Sequence, residues 1–384
     1  MNDISDYTGD IHQGDAADTL AELPESSIHM CMTSPPYFGL RDYGVDGQIG
    51  LEDELDEYIS ELVNVFREVR RVLRPDGSAW LNLGDSYDGG KNKMLVPHRV
   101  AIALQEDGWI VRNDVTWVKP NPMPQSVKDR LNDTTEQVFH LVPERNYWYD
   151  LDSIREPYSE SMKRRADAGY KSKHGGAERD GWGGGNHHDG GLLDDSKDYG
   201  DHMNPAGKNP GDVFEVTTKP FPDAHFAVYP PELVEKPLKA TCPPKVCAAC
   251  GSPYERDVER ERVERNEPRG TERSEDADMA ESVDRSPVTN GSKYWERLKN
   301  RKTEFKGWNP TCDCDTDATE AGIALDPFAG AGTTCLVAKR HGRRFIGIDL
   351  NEEYVAMAQK RLGLTVDYPE HVRDDADAGL EDFA

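Results

Sequence analysis

Ser34-Pro35-Pro36-Tyr37 follows a short buried strand candidate, Ile28–Thr33, whose apolar run is Ile28–Met32. A hydroxyl, two prolines and an aromatic ring directly after a strand make a stiff, exposed corner, because each proline fixes its own φ. Far along the chain, Asp326-Pro327-Phe328-Ala329-Gly330-Ala331-Gly332-Thr333-Thr334 sets Gly330 and Gly332 between a strand and a helix. Such glycines let a ligand approach the backbone, and the helix N-terminus offers free N–H groups. The following strand ends at Asp349, where an acid can accept both ribose hydroxyls of an adenosine cofactor. The loop is neither the dinucleotide fingerprint G-x-G-x-x-G nor a phosphate loop with its lysine. Sulfur forms a third group. Cys247 and Cys250 make a C-x2-C knuckle, and Cys312 and Cys314 a C-x-C pair. Four thiolates suit tetrahedral zinc and leave no open position, so the zinc reads as structural. The plain alternatives are tight turns for the two loops and free thiols for the cysteines. Cys242 is a fifth candidate ligand, whereas Cys31 lies inside the apolar run and reads as core.

The elements that must position these groups are legible as periodicity. Leu55–Leu73 carries Leu55, Ile59, Leu62, Val63, Phe66, Val69 and Leu73 at helical spacing. Pro75-Asp76-Gly77 should end that helix in a turn. Ser78–Leu83 reads as the next strand and Val96–Gln105 as a helix. Trp109–Lys119 and Glu136–Val142 read as strands, with a short third at Tyr147–Tyr149. Strands alternating with helices indicate a parallel α/β sheet. From Arg155 to Asp212 the pattern gives way to Gly, Asp, Asn, His and Lys, a long loop-rich insertion. Arg256–Ser286 is dense in charge and nearly free of apolar residues, a solvated excursion between the two cysteine pairs. From Gly322 the order strand, glycine loop, helix, strand, helix returns and runs to Leu362, followed by an acidic tail.

The 384 residues have a formal net charge of -26 and seven cysteines. That much acid repels nucleic acid in dilute salt. Multimolar salt screens it, with a Debye length of about 3 Å or less. The excess therefore reads as the solvation chemistry of a halophile's protein; the alternative is an acidic mesophile protein with a basic face. Without a membrane-length apolar run or a signal peptide, the expectation is an intracellular, cytoplasmic protein with no membrane partner.

The two loops together resemble those of the amino-group DNA methyltransferases that use S-adenosylmethionine. That family carries an S/D/N-P-P-Y/F catalytic loop and a D-P-F-x-G-x-G-T-T cofactor loop, matched here by Ser34–Tyr37 and Asp326–Thr334. The catalytic loop comes first and the cofactor loop last, which is similar to the permuted order of the family's β group. The resemblance spans about residues 10–150 and 212–362. It implies a Rossmann-like methyltransferase sheet in circularly permuted order, acting on double-stranded DNA by base flipping and in-line methyl transfer. It assigns catalysis to Ser34, Pro35, Pro36 and Tyr37, with the Ser34 side chain and the Pro35 carbonyl holding the target amino hydrogens and Tyr37 stacking on the base. It assigns cofactor binding to Asp15, Phe226, Asp326, Pro327, Phe328, Gly330, Gly332, Thr333, Thr334 and Asp349.

A leading Ser is similar to the cytosine-N4 members; adenine-N6 members mostly carry Asp or Asn. Lys119, Lys128 and Arg130 fall in a segment resembling a DNA-facing loop. The implied division is 1–150 catalytic half, 151–222 target recognition, 223–241 cofactor-adjacent, 242–318 zinc module, 319–362 cofactor half and 363–384 tail, with the recognition region and zinc module over a DNA cleft. A separate restriction endonuclease is a candidate partner, and monomer and dimer both stay open. So do the adenine-N6 reaction and a non-catalytic, zinc-containing DNA-binding regulator.

Overall fold

The computed structural model describes residues 3–167, 204, 206–219, 228–260 and 303–364. The chain divides into two compact units, one of residues 1–154, 211–255 and 308–384, the other of 155–210 and 256–307. The first holds the site. Its N-terminal part contains β1 (Asp10–Gln13), α1 (Ala16–Glu22), β2 (Ile28–Thr33), α2 (Leu55–Val72), β3 (Leu73–Leu83), α3 (Val96–Glu106), β4 (Ile110–Val118) and β5 (Thr135–Val142). A short helix, α4 (Glu160–Asp167), lies in the second unit. The chain continues through β6 (Val213–Glu215), α5 (Pro231–Thr241), β7 (Val246–Cys247), β8 (Tyr254–Arg260), β9 (Thr303–Pro310) and β10 (Thr319–Glu320). It closes with β11 (Ile323–Asp326), α6 (Thr333–Arg340), β12 (Arg344–Asp349) and α7 (Glu352–Leu362).

Eight strands form one sheet in the order β1-β12-β11-β2-β3-β5-β4-β6. The strands from β1 to β3 run parallel, and β5 is antiparallel to both β3 and β4. The two strands from the C-terminal region therefore lie between β1 and β2. The parallel core agrees with the expected parallel sheet, and β5 adds antiparallel pairings to β3 and β4. The sheet also includes β1, which is too short to show a period.

Side chains alternate across the sheet, as period two requires. Ala79, Leu81 and Leu83 face one core with Tyr58, Leu62 and Phe66 of α2, while Trp80 faces the other with Leu233 and Leu238 of α5. All six residues of β2 are buried, because the strand is covered on both faces.

Three expectations differ from the structure. Pro75-Asp76-Gly77 is no free turn. The chain passes from α2 straight into β3, and the three residues bulge out where the register jumps from Ile28↔Leu73 to Met30↔Ser78. Tyr147–Tyr149 is not a strand; Trp148 N donates to Asp76 O (2.9 Å), and both tyrosine rings pack about His140. Residues 160–167, inside the expected loop-rich insertion, are helical.

His140 of β5 stacks on Trp80 at 4.2 Å with the rings 3° from parallel, and its Nε2 lies 3.1 Å from Ser78 Oγ. Burial, aided by the Arg112 cation, pulls its pKa down to about 3. The unfolded chain binds this proton from about pH 6.5 and the fold does not, so acid destabilises the fold through this group. Replacing His140→Phe should keep the stack and remove about 1.4 kcal/mol per pH unit from the slope of stability against pH near pH 5. Urea unfolding of both proteins between pH 4 and 7 checks this; an unchanged slope would contradict it.

Candidate active site and cysteine cluster

The parallel strands share one carboxyl edge, where open α/β sheets bind their ligands. On it lie Gln13, Thr33, Leu83, Asp326 and Asp349, the last residues of β1, β2, β3, β11 and β12. The start of β5 joins them, since Gln137 pairs with Leu83. The serine loop leaves from β2 and the glycine loop from the neighbouring β11, so two segments almost 300 residues apart in sequence become adjacent.

Asp326 joins them. Its side chain is fully buried; Oδ1 accepts from Thr33 Oγ1 (2.7 Å) and Phe328 N (3.2 Å), and Oδ2 accepts from Tyr229 Oη (2.7 Å). Tyr229 Oη also lies 2.7 Å from Thr334 Oγ1, which donates to Met32 O at 3.0 Å. Burial raises the Asp326 carboxyl's pKa against the hydrogen bonds from Thr33, Tyr229 and Phe328 that lower it. Thr333 Oγ1 accepts from Arg361 (2.9 Å), and Pro327 is buried. These four motif residues thus hold the loop from beneath.

Gly330, Phe328 and Asp349 reach the open edge. Gly330 (φ +50) has nothing within 4 Å of where a Cβ would sit, which leaves room beside its backbone. Gly332 (φ +68) caps α6 in a left-handed conformation that disfavours a side chain. Asp349 Oδ2 accepts from Gly330 N (2.7 Å) and Oδ1 from Asn351 N (2.9 Å); burial raises its pKa to about 6. The rings of Tyr43 and Tyr354 meet edge to face at 6.1 Å, and the Asp349 carboxylate bears on both phenols. Asp15 follows β1 and caps α1, taking Ala17 N (2.8 Å) and Asp18 N (3.0 Å). Phe226 lies outside the described residues.

The serine loop ends in a polar network. Ser34 Oγ donates to Tyr37 Oη (3.2 Å), and Tyr37 Oη donates to Glu136 Oε2 (2.8 Å). Asn82 Nδ2 lies 3.2, 2.8 and 3.0 Å from Ser34 Oγ, Tyr37 Oη and Glu136 Oε2. Lys119 forms an ion pair with Glu136 Oε1. Tyr37 is therefore fixed at its hydroxyl, and burial followed by the Glu136 charge raises its pKa well above the ordinary value. Tyr58 Oη donates to Pro36 O (2.8 Å). The Pro35 carbonyl, in contrast, accepts no hydrogen bond from the described residues. Lys119, expected to face DNA phosphate, instead anchors Glu136, and Arg130 pairs with Asp133 (2.7 Å); Lys128 is exposed.

The four cysteine sulfurs of Cys247, Cys250, Cys312 and Cys314 lie within 4.8 Å of one another. A tetrahedral ion with Zn–S bonds of about 2.3 Å draws such sulfurs to about 3.8 Å, so the donor set fits. Cys242 is buried in the core, outside this group, and Cys31 is buried in β2 as expected.

The cluster sits at the opposite edge of the sheet from Ser34. His29, near the start of β2, accepts Ile323 N at Nδ1 (3.1 Å); its Nε2 therefore carries the proton and donates to Gly251 O (3.0 Å). Arg74 donates to Cys250 O (3.0 Å). These backbone contacts hold the cysteine knuckle at the amino ends of β2 and β3.

A family model described as DNA methylase, covering N6 and N4 methyltransferases, matches residues 28–247 and 317–360. The type II methyltransferase M.SfiI of Streptomyces fimbriatus is 35% identical over 389 residues, 90% of this chain and 89% of the relative. M.SmaI of Serratia marcescens is 29% identical, over 91% and 89%. Among solved structures, the PvuII DNA methyltransferase (cytosine-N4-specific) shares the fold with a TM-score of 0.51 and 18% identity, covering 95% of this chain and 89% of the other. The chain belongs to the N6/N4 DNA methylase family.

Glu136, Asn82, Thr33 and Tyr229 carry the site and are not visible in the sequence motifs. Tyr229→Phe removes one of the donors to buried Asp326 and should lower stability by about 1–3 kcal/mol. Denaturant unfolding checks this; stability within 0.3 kcal/mol of wild type, on the order of experimental error, would contradict the joint.

Proposed function

We propose that the protein transfers a methyl group from S-adenosylmethionine to the exocyclic N4 of cytosine in double-stranded DNA. The observation that carries this is the Ser34 hydroxyl, tied through Tyr37 to Glu136, next in the chain to a Pro35 carbonyl that accepts no hydrogen bond from the described residues. An exocyclic amino nitrogen is a poor nucleophile because its lone pair is delocalised into the ring. Two acceptors on its hydrogens favour a tetrahedral nitrogen, and the prolines hold one of them preorganised. The target base must leave the stack to reach them. Tyr37 packs beside it with its hydroxyl turned inward. Gly330, Phe328 and Asp349, with Asp15 near the adenine, form the cofactor cradle, and Asp326, Pro327, Gly332, Thr333 and Thr334 support it. Bound there, S-adenosylmethionine supplies an electrophilic methyl carbon, and the remaining task is alignment.

Cytosine is favoured over adenine by the serine that opens the motif; adenine N6 is the second reading. We read the order of the two halves as the permuted β-group arrangement. The names of the type II relatives support a place in a restriction–modification system, with the endonuclease on another chain. The acid excess supports a halophilic source, and the cysteine cluster a structural zinc.

Asp349→Ala should weaken S-adenosylmethionine binding tenfold or more by calorimetry. Ser34→Ala should bind it as wild type does and transfer less than about 1% as much labelled methyl to unmethylated DNA. Loss of cofactor binding in Ser34→Ala would count against this division of roles. Metal analysis should find about one zinc per chain, as one tetrathiolate site requires; less than half an equivalent removes the zinc.

A further inference from the structure

We propose that the Lys119–Glu136 pair fixes the direction of the hydrogen-bond chain ending on Ser34, and that the proton lost from the target amino group leaves along this chain to Glu136. This rests on the reading of Ser34 as the amino-group acceptor. The direction follows from which groups can only give and which can only take. A lysine ammonium and an amide nitrogen only donate; an ionised carboxylate only accepts. Glu136 Oε1 is engaged by Lys119, and Oε2 lies 2.8 Å from Tyr37 Oη and 3.0 Å from Asn82 Nδ2.

Reversing the Asn82 amide would set its carbonyl oxygen 3.0 Å from that carboxylate, oxygen against oxygen. The orientation is therefore determined, although it leaves Asn82 Oδ1 buried without a partner among the described residues. Tyr37 must then donate to Glu136 and accept from Ser34 and Asn82. The Ser34 hydrogen points into the protein at Tyr37, which leaves an Oγ lone pair for the base. The serine is thereby held as an acceptor, the role that the transfer requires of it.

The same chain has an acid at its far end. As the N–C bond forms at the expense of the sulfonium S–CH3 bond, whose electron pair stays on sulfur and leaves a neutral thioether, the amino nitrogen gains positive charge and one N–H bond breaks. That proton goes to Ser34 Oγ, the Ser34 proton passes to Tyr37 Oη, and the Tyr37 proton passes to Glu136 Oε2. One N–H bond is lost and one carboxyl O–H bond is formed. The charge on the methylated amine and the charge on the carboxylate disappear together. The Glu136 side chain is 14% exposed, which gives the proton a route to solvent after the step.

Glu136→Gln keeps the shape and removes the acceptor, and Tyr37→Phe keeps the ring and removes the link. Each should lower kcat for methyl transfer to unmethylated DNA by about a hundredfold, with KM for DNA within about twofold. The double variant should be no slower than either single one, since members of one chain fail together. Calorimetric binding of S-adenosylhomocysteine should be unchanged in all three.

Wild-type single-turnover transfer should be slower in D2O, with a curved dependence on deuterium fraction because several protons move. This last measurement needs no variant and stands if one fails to fold. An active wild type with a kcat for Glu136→Gln within threefold of it, with multiplicative single effects, or with no solvent isotope effect overturns the relay and leaves the assignment of Ser34 standing. A wild type that transfers no methyl in any salt overturns both.

Discussion

The buried carboxylate of Asp326 sets the distance between the two loops. One oxygen takes the hydroxyl of Thr33, directly before Ser34, and the backbone of Phe328 in the glycine loop; the other takes Tyr229. A carboxylate without water around it is tolerated only when hydrogen bonds replace its hydration. Here those donors come from β2, from the loop after β11 and from the segment before α5. Moving any one of them takes a donor from the buried carboxylate, so the three segments hold a common geometry. The joint holds the serine loop beside the glycine loop, the alignment on which the proposed direct methyl transfer depends.

A second carboxylate, Glu136, organises the catalytic side. It lies on β5, antiparallel to β3, and so reaches back toward the edge where the parallel strands end. Asp326 is sealed and structural. Glu136 is partly open, paired with Lys119, and connected through Tyr37 to Ser34. On the proposed relay, Asp326 on β11 supplies rigidity and Glu136 on β5, with β2 and β3 between them, takes the proton.

The parts of the site that were legible in the sequence are those encoded locally. A proline corner after an apolar run and a glycine loop before a helix each announce themselves within ten residues, as does a C-x2-C knuckle. Glu136, Asn82 and Tyr229 were not legible. Each acts on residues 45 to 105 positions away; Glu136 and Asn82 lie in strands, where a polar residue reads as an ordinary outward-facing one, and Tyr229 lies in an irregular segment before α5. Asp326, Thr333 and Thr334 belong to the cofactor motif, but their side chains turn into the protein, which a motif cannot reveal. The cysteine quartet was visible from spacing alone. Its position was not, because it is set by His29 and Arg74 reaching backbone carbonyls about 200 residues away. The turn expected at Pro75-Asp76-Gly77 became a bulge because pairing with β2 continues past it.

Asp349 and the glycine loop describe a cofactor cradle, whereas Ser34 and Pro35 describe a particular substrate atom, so the central claim is the base that receives the methyl group. Incubation with S-adenosylmethionine and unmethylated DNA, in dilute and in multimolar salt, followed by digestion to nucleosides and mass spectrometry, tests it directly. N4-methylcytosine is the predicted product, and the halophilic source proposed from the net charge of -26 predicts that it forms best in the concentrated salt. N6-methyladenine would contradict the reading of Ser34 and leave the fold and the joint at Asp326 intact.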